Sequence, residues 1–466
     1  MNRFVLALEL AAVAIAAHIV PSAARAAEIT EVADAADGDD PFDFELEVGW
    51  SRTQVQAKIT RENLQTNPRT GQPDIVDVTE LRYKKIRSQL DITARAGLYK
   101  DLELHANLPI VFLEYQTWWP AKVLVDAGLE NSTLNNDEGI CPGGQIDASC
   151  RGPLFPYTDD TGQNNSWRGG LGDGSVGITW GIMNDERDPW SPSLNIGFDW
   201  TFPSGGKRSP LDVSHSEEDL KPVGLRTHIF SFHIATSKNM GGIDPFLKFY
   251  YHLPIANPEQ AFHNCEDPNR LADMDDDDPG VQNTCTVGSE WRADGENRGG
   301  LRPSHVGGFR LGSEFLPYYD PAQFIRVAIE LSFGAAYVSE GRNFSELSDA
   351  LRRTTWTGDF LRLDGRLGVR VRASRYAQFH VLATLGHDTE HQLTGESIGK
   401  DLGYCVGDSG TLEKRSDCPP VVDLTPNEVN PERNPNYDFR FDQPGRRFRI
   451  EELTRFTIFI GGEIDF

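Results

Sequence analysis

Residues 90–112 read LDITARAGLYKDLELHANLPIVF. Leu90, Ile92, Ala94, Ala96 and Leu98 alternate with Asp91, Thr93, Arg95 and Gly97. Past the centre, Leu102, Leu104, Ala106, Leu108, Ile110 and Phe112 alternate with Glu103, His105 and Asn107. Side chains of a strand point alternately to its two faces, so a period of two predicts strands with one apolar and one ionic face. Tyr99-Lys100-Asp101 between the runs predicts a three-residue turn, and the whole stretch an antiparallel hairpin.

The same alternation starts at Phe42, Phe44, Leu46, Val48 and Trp50. It returns in Val176–Ile182, Leu194–Phe202, Phe230–Ile234, Leu247–Leu253, Phe309–Leu311, Ile325–Phe333, Leu361–Val371, Phe379–Leu385 and Phe456–Phe466. No segment sustains a helical period. About 12 strands result, an even number as single-chain bacterial barrels have. Connections near 99–101, 183–190, 239–242, 318–323 and 374–376 are short. Those at 61–75, 113–168, 203–224, 254–304, 341–358 and 388–447 are long. A soluble sandwich has no reason to lengthen every second connection. A transmembrane, antiparallel, up-and-down β-barrel does, with short periplasmic turns and long extracellular loops. The all-β barrel is expected over residues 42–466. Tyr99, Trp190, Tyr318, Tyr319 and Tyr376 are expected at its periplasmic aromatic girdle, and Tyr115, Trp118, Trp119, Phe202 and Tyr337 at the outer one. Core aromatics of a soluble β protein are the alternative.

Composition agrees. Hydrophobic residues make up 38% of the 466, too few for a helical membrane protein but ordinary where only alternate strand residues meet lipid. The formal net charge of −25 excludes a nucleic-acid partner, which requires clustered Lys and Arg. Arg3, the apolar stretch Phe4–Val20 and Ala24-Arg25-Ala26 read as a cleaved signal peptide over residues 1–26, with Glu9 interrupting the run; a short N-terminal anchor helix is the alternative. Residues 27–41 are polar and acidic, and predict a flexible lead too short for a plug domain. Six cysteines fall into three close pairs, Cys141 with Cys150, Cys265 with Cys285, and Cys405 with Cys418. In an exported chain these predict local disulfides, each contributing roughly 3 kcal/mol if unstrained. Their spacing is not that of a zinc site.

If the apolar residues face lipid, their neighbours face the lumen, because a charge on lipid near the midplane costs about 2–4 kcal/mol. The lumen candidates are Arg87, Asp91 and Arg95; Glu103 and His105; Arg310 and Glu314; Arg326 and Glu330; and Arg362, Asp364, Arg366, Arg370 and Arg372. Two readings stay open. One is a polar pore whose Arg ladder favours anions. The other is an ionic network filling a narrow barrel.

Three motifs invite other chemistry. Gly172-Asp173-Gly174-Ser175-Val176-Gly177 fits GxGxxG, but a strand pattern follows where a dinucleotide site needs a helix. His387-Asp388-Thr389-Glu390-His391 fits HxxEH; on a strand, four residues separate the rings by roughly 13 Å, too far for one zinc unless the chain bends. Asp275–Asp278 could hold Ca²⁺ and bridge it to lipopolysaccharide, although it lacks the Gly and spaced Glu of an EF-hand. No metal or cofactor is expected.

The chain ends Gly461-Gly462-Glu463-Ile464-Asp465-Phe466, and Gly461, Ile464 and Phe466 resemble the C-terminal signal of outer-membrane barrels. Phe459 departs from the polar residue usual there. The resemblance implies the barrel-assembly machinery as a partner. Residues 90–210 also resemble the outer-membrane channel family linked to the meta pathway of phenol degradation. That likeness rests on Leu98–Leu104, Leu108-Pro109, Gly170-Leu171-Gly172-Asp173 and Phe202-Pro203-Ser204-Gly205. It implies a passive channel for small solutes, with aromatic ones suggested by the family alone. The disulfide-bearing loops depart from it. The expectation is a non-enzymatic outer-membrane channel for small polar solutes, anionic or aromatic among them. The rivals are a sealed barrel presenting its surface loops to partners, and a phospholipase-type hydrolase, for which the outward residues offer no Ser, His and polar trio.

Overall fold

The computed structural model describes residues 27–33, 43–66, 68–121, 164–185, 188, 190–257, 260–266, 300–320, 322–397, 404–406, 412–414, 436–438 and 441–466. The wall begins with β1 (Phe44–Thr66), β2 (Pro73–Tyr99), β3 (Leu102–Pro120), β4 (Asn164–Leu171) and β5 (Gly174–Met183). It continues with β6 (Ser193–Phe202), β7 (Thr227–Ser237), β8 (Ile243–Ala256), β9 (Val306–Asp320) and β10 (Ile325–Val338). Short strands β11 (Gly341–Asn343) and β12 (Thr355–Thr357) flank a one-turn helix, α1 (Ser348–Leu351). The wall then resumes with β13 (Phe360–Ser374) and β14 (Ala377–Asp388). β15 (His391–Gln392) and the β16–β17 hairpin (Tyr404–Val406, Leu412–Lys414) precede the last strand, β18 (Phe448–Asp465).

Consecutive wall strands pair antiparallel, and β18 pairs with β1 from Glu45↔Asp465 to Arg61↔Phe448, so the sheet closes on itself. Closure gives both the first and the last wall strand a partner on each side. β4 and β5 together form one wall strand, both pairing with β3, which makes a 12-strand antiparallel barrel. The GxGxxG segment spans the break between them and enters a strand, not a helix. The shortest complete wall strand, β6, has 10 residues. It extends about 33 Å and rises about 25 Å at a 40° tilt, the height of a lipid-facing band.

Alternation sorts the two faces. On β10, Leu331, Phe333 and Tyr337 are at least 43% exposed, while Ala328, Ser332 and Ala336 are buried. Leu104, Leu108 and Phe112 on β3 and Leu361, Leu367 and Val369 on β13 are likewise exposed. Strand connections alternate between a turn end and a loop end, with β1 starting and β18 ending at the turn end.

Several expectations need correction. The first turn holds two residues, Lys100 and Asp101, with Lys100 in the left-handed region (φ 45°). The 61–75 linker shrinks because β1 and β2 pair as far as Thr66↔Pro73, and β9 runs through Tyr318 and Tyr319 to Asp320. Trp118 is not a girdle residue. A register shift between Val111 and Glu114 reverses the alternation of β3, so Glu114, Gln116 and Trp118 turn inward. Trp118 then joins an apolar core at the loop end with Ile59, Leu81, Leu347, Leu393 and Phe448. Tyr99, Trp190, Tyr318 and Tyr376 are exposed at the turn end.

Residues 27–33 do not trail free. Thr30 is buried and its hydroxyl meets Ser237 Oγ at 2.5 Å; the Glu28 and Ala33 amides donate to Glu314 (3.1 Å) and Glu103 (2.9 Å). A polar segment finds partners here because the interior of this barrel is itself polar. Cys265 is disulfide-bonded. The proposed cysteine pairings, residues 1–26, the rest of the lead to residue 41 and Asp275–Asp278 fall wholly or partly outside the described residues.

Candidate functional site: the barrel interior

Inward positions carry charges that meet across the concave face. At the turn end, Arg95 holds Glu463, Glu47 and Glu45 at 2.8, 3.0 and 3.1 Å, and Arg372 holds Asp465 at 3.3 Å. Glu45, Glu463 and Asp465 bring carboxylate oxygens within 4.8 Å of one another. These two guanidiniums already supply countercharge, which disfavours a metal there. One layer up, Glu314 lies 3.5 Å from Arg370 and 3.6 Å from Arg326, while Arg370 reaches Glu28 of the lead at 3.1 Å. The lead thus supplies both an anion and a backbone donor to the interior.

Mid-barrel, two pairs reach across an intervening strand over a glycine. His105 on β3 crosses Gly177 on β5 to Asp199 on β6, at 2.6 Å, and also meets Glu103 at 3.0 Å. Arg310 on β9 crosses Gly334 on β10 to Asp364 on β13, at 2.5 Å. A Cβ on Gly177 would lie 2.3 Å from His105 Nε2 and 2.8 Å from the Phe198 carbonyl oxygen. Glu330 accepts from Ser332 at 2.7 Å and stands 4.0 Å from Arg366. Arg362 holds Asp388 at 3.0 Å, Arg87 reaches Glu114 at 3.2 Å, and Asp91 accepts from Gln89 at 2.8 Å.

The loops cap the other end. Asp349 on α1 is fully buried and accepts from Arg168 Nη2 (2.8 Å), Ser166 Oγ (2.8 Å), Arg208 Nη2 (3.1 Å) and Gln116 Nε2 (3.1 Å). Arg208 also pairs with Glu114 at 2.8 Å. Burial pushes the Asp349 carboxyl up, but the charges of Arg208 and Arg168 and hydrogen bonds from Arg168 and Ser166 outweigh it, so its pKa lies below the ordinary value.

Between lead and cap lies a cavity of about 380 Å³, bordered by Ile29, Asp199, His233, Lys248, Tyr250, Arg310 and Arg366 among others. Asp199, Lys248 and Tyr250 were not among the sequence candidates. The same signal marks them, since each alternates with apolar neighbours: Phe198 and Trp200, Leu247 and Phe249, Phe249 and Tyr251. Asp349, Arg168 and Arg208 left no periodic signal. The Gly170–Asp173 and Phe202–Gly205 motifs meet in one joint, where Asp173 accepts from the Gly205 and Leu225 amides (3.0 and 2.8 Å) and Ser204 Oγ accepts from the Gly174 amide (2.8 Å). The HxxEH histidines separate. His387 is exposed on β14, while His391 lies buried beyond a break, stacked on Phe360 at 4.0 Å.

No protein-family model matches the chain, and no curated protein is significantly similar to it. Solved structures do resemble it. An outer-membrane channel from Pseudomonas putida F1 is 10% identical over 88% of this chain and 94% of that one, with a TM-score of 0.33. The CymD monoaromatic hydrocarbon channel is 8% identical over 94% and 90%, at 0.31. A FadL homologue of Pseudomonas aeruginosa is 7% identical over 91% and 90%, at 0.30. At these values the likeness carries no residue role and no solute.

Proposed function

We propose that the chain is an outer-membrane channel for small polar solutes, non-enzymatic, delivered by a cleaved signal peptide and inserted by the barrel-assembly machinery through Gly461, Ile464 and Phe466. The observation that carries this reading is the division of the closed wall into an exposed apolar row and an ionic inner row that keeps a cavity open mid-barrel. A soluble protein that left Leu331, Leu367, Phe379 and Leu385 more than half exposed would aggregate. Lipid, with lipopolysaccharide in the outer leaflet, is the solvent that suits them.

Planar-bilayer recording of the purified, heat-modifiable protein tests the reading. Discrete current steps are expected, with a reversal potential that favours anions and moves toward cations in Arg366→Glu. An unchanged reversal potential in that variant would count against a lumen lined by Arg366. A second reading, a sealed barrel that presents its loops, is favoured by the lead and the cap occupying opposite ends of the interior. A folded, membrane-inserted protein that passes no current would establish it.

A further inference from the structure

The charges around the mid-barrel cavity are unequally partnered. Arg95, Arg362, Arg370 and Arg372 each hold a carboxylate within 3.3 Å. Of the cavity's own charges, Arg310 is matched by Asp364, and Asp199 by His105. Two cations are held more loosely. Lys248 makes no hydrogen bond and no ion pair among the described residues. Arg366 has only Glu330, at 4.0 Å, and its buried Nε has no partner. Both border the same space of about 380 Å³, within the range of small-molecule sites. An ammonium and a guanidinium converging on one cavity supply a point charge and a planar donor fork, which together suit a carboxylate. Tyr250 and Ile29 border the same cavity and would flank the body of such a solute.

We propose that this cavity is a binding site for a small organic carboxylate, with Lys248 and Arg366 holding the anionic end and Tyr250 and Ile29 flanking its apolar part. The site deepens the channel reading and rests on it for the solute's route. Occupancy itself needs no conduction. Lys248 neighbours Arg310 across the β8–β9 pair, and Arg310 is fixed by Asp364, so the cationic wall is held in place before a ligand arrives. Ile29 belongs to the lead, so the site also depends on that segment remaining in the barrel.

Isothermal titration of the folded, detergent-solubilised full chain with benzoate, acetate and inorganic phosphate tests the assignment. Benzoate is expected to bind with one-to-one stoichiometry and more tightly than acetate. Lys248→Gln and Arg366→Gln should each weaken benzoate by about tenfold or more, as expected for a lost charge-assisted hydrogen bond. Lys248→Arg should retain most of the affinity, as should Arg326→Gln, which removes a lumen cation outside the cavity. The heat-modifiable band certifies that each variant is folded. Benzoate affinity unchanged in folded Lys248→Gln, or no heat with any of the three anions, overturns the proposal. Phosphate binding as tightly as benzoate overturns the organic part of it. Saturable binding without bilayer current would refute the channel reading alone and leave the site standing.

Discussion

Asp349 is the side chain on which the loop-end cap turns, and nothing around it in the sequence marks it. Its partners come from residues 116, 166, 168 and 208, remote in the chain, so no local pattern could have brought them together. Asp349→Asn would leave two buried guanidiniums undercompensated, at a cost of about 3–5 kcal/mol. Amide exchange at Leu351 and Arg353, which close the α1 turn, should accelerate in the variant while β10 amides stay protected. The same carboxyl gives a pH dependence of definite sign. Its folded pKa lies below the ordinary value, whereas an unfolded Asp titrates near about 3.9. Its contribution is therefore fully present above the unfolded value and is lost as pH falls through the folded one. The protection of those amides, meaning their exchange relative to the intrinsic rate at each pH, should fall on acidification in the native protein and stay flat in Asp349→Asn. Gly177 matters through a side chain that passes over it. Its alternation with Val176 and Ile178 was legible, but its reason was not: His105 passes over it to Asp199. Gly177→Ala should lower unfolding free energy in urea by about 1–3 kcal/mol. Wild-type stability in that variant would show that the pair tolerates a methyl group beneath it.

Among the elements, the strands were readable and the lead was not. Period-two alternation needs only nearest neighbours in sequence, so β2, β3, β10, β13 and β14 could be placed from it. The prediction for β3 failed above Val111 because a register shift reverses which face each residue serves, and a bulge leaves no mark in hydrophobic pattern. Residues 27–33 depart from the expected flexible lead for a physical reason. Polar composition forecasts a solvated tail only when the surrounding interior is apolar. Here Glu28 finds Arg370 and Glu314 waiting inside the wall. Deleting residues 27–33 should remove these contacts and the Ile29 border of the cavity. On the channel reading, single-channel conductance should then rise at least twofold with the barrel still heat-modifiable. Conductance equal to the full-length protein would mean the lead does not restrict the path.

At the scale of the whole molecule, alternating loop lengths and an even strand count led to the closed barrel, because closure is the way an antiparallel sheet with one apolar face can present that face to lipid without free edges. The cavity and its loosely held cations could not be read in the same way, since they depend on which inward residues pair across non-adjacent strands. The two faces of that wall should meet different solvents. A nitroxide scan of residues 361–371 on β13, in lipid bilayers, tests it most directly. Collision with lipid-soluble oxygen should peak at Leu361, Leu363, Leu367, Val369 and Val371, and collision with a water-soluble nickel chelate should peak at Arg362, Asp364, Arg366 and Arg370, in strict alternation. A scan with no period of two, or with the chelate reaching both sets equally, would contradict a lipid-facing wall around an ionic interior.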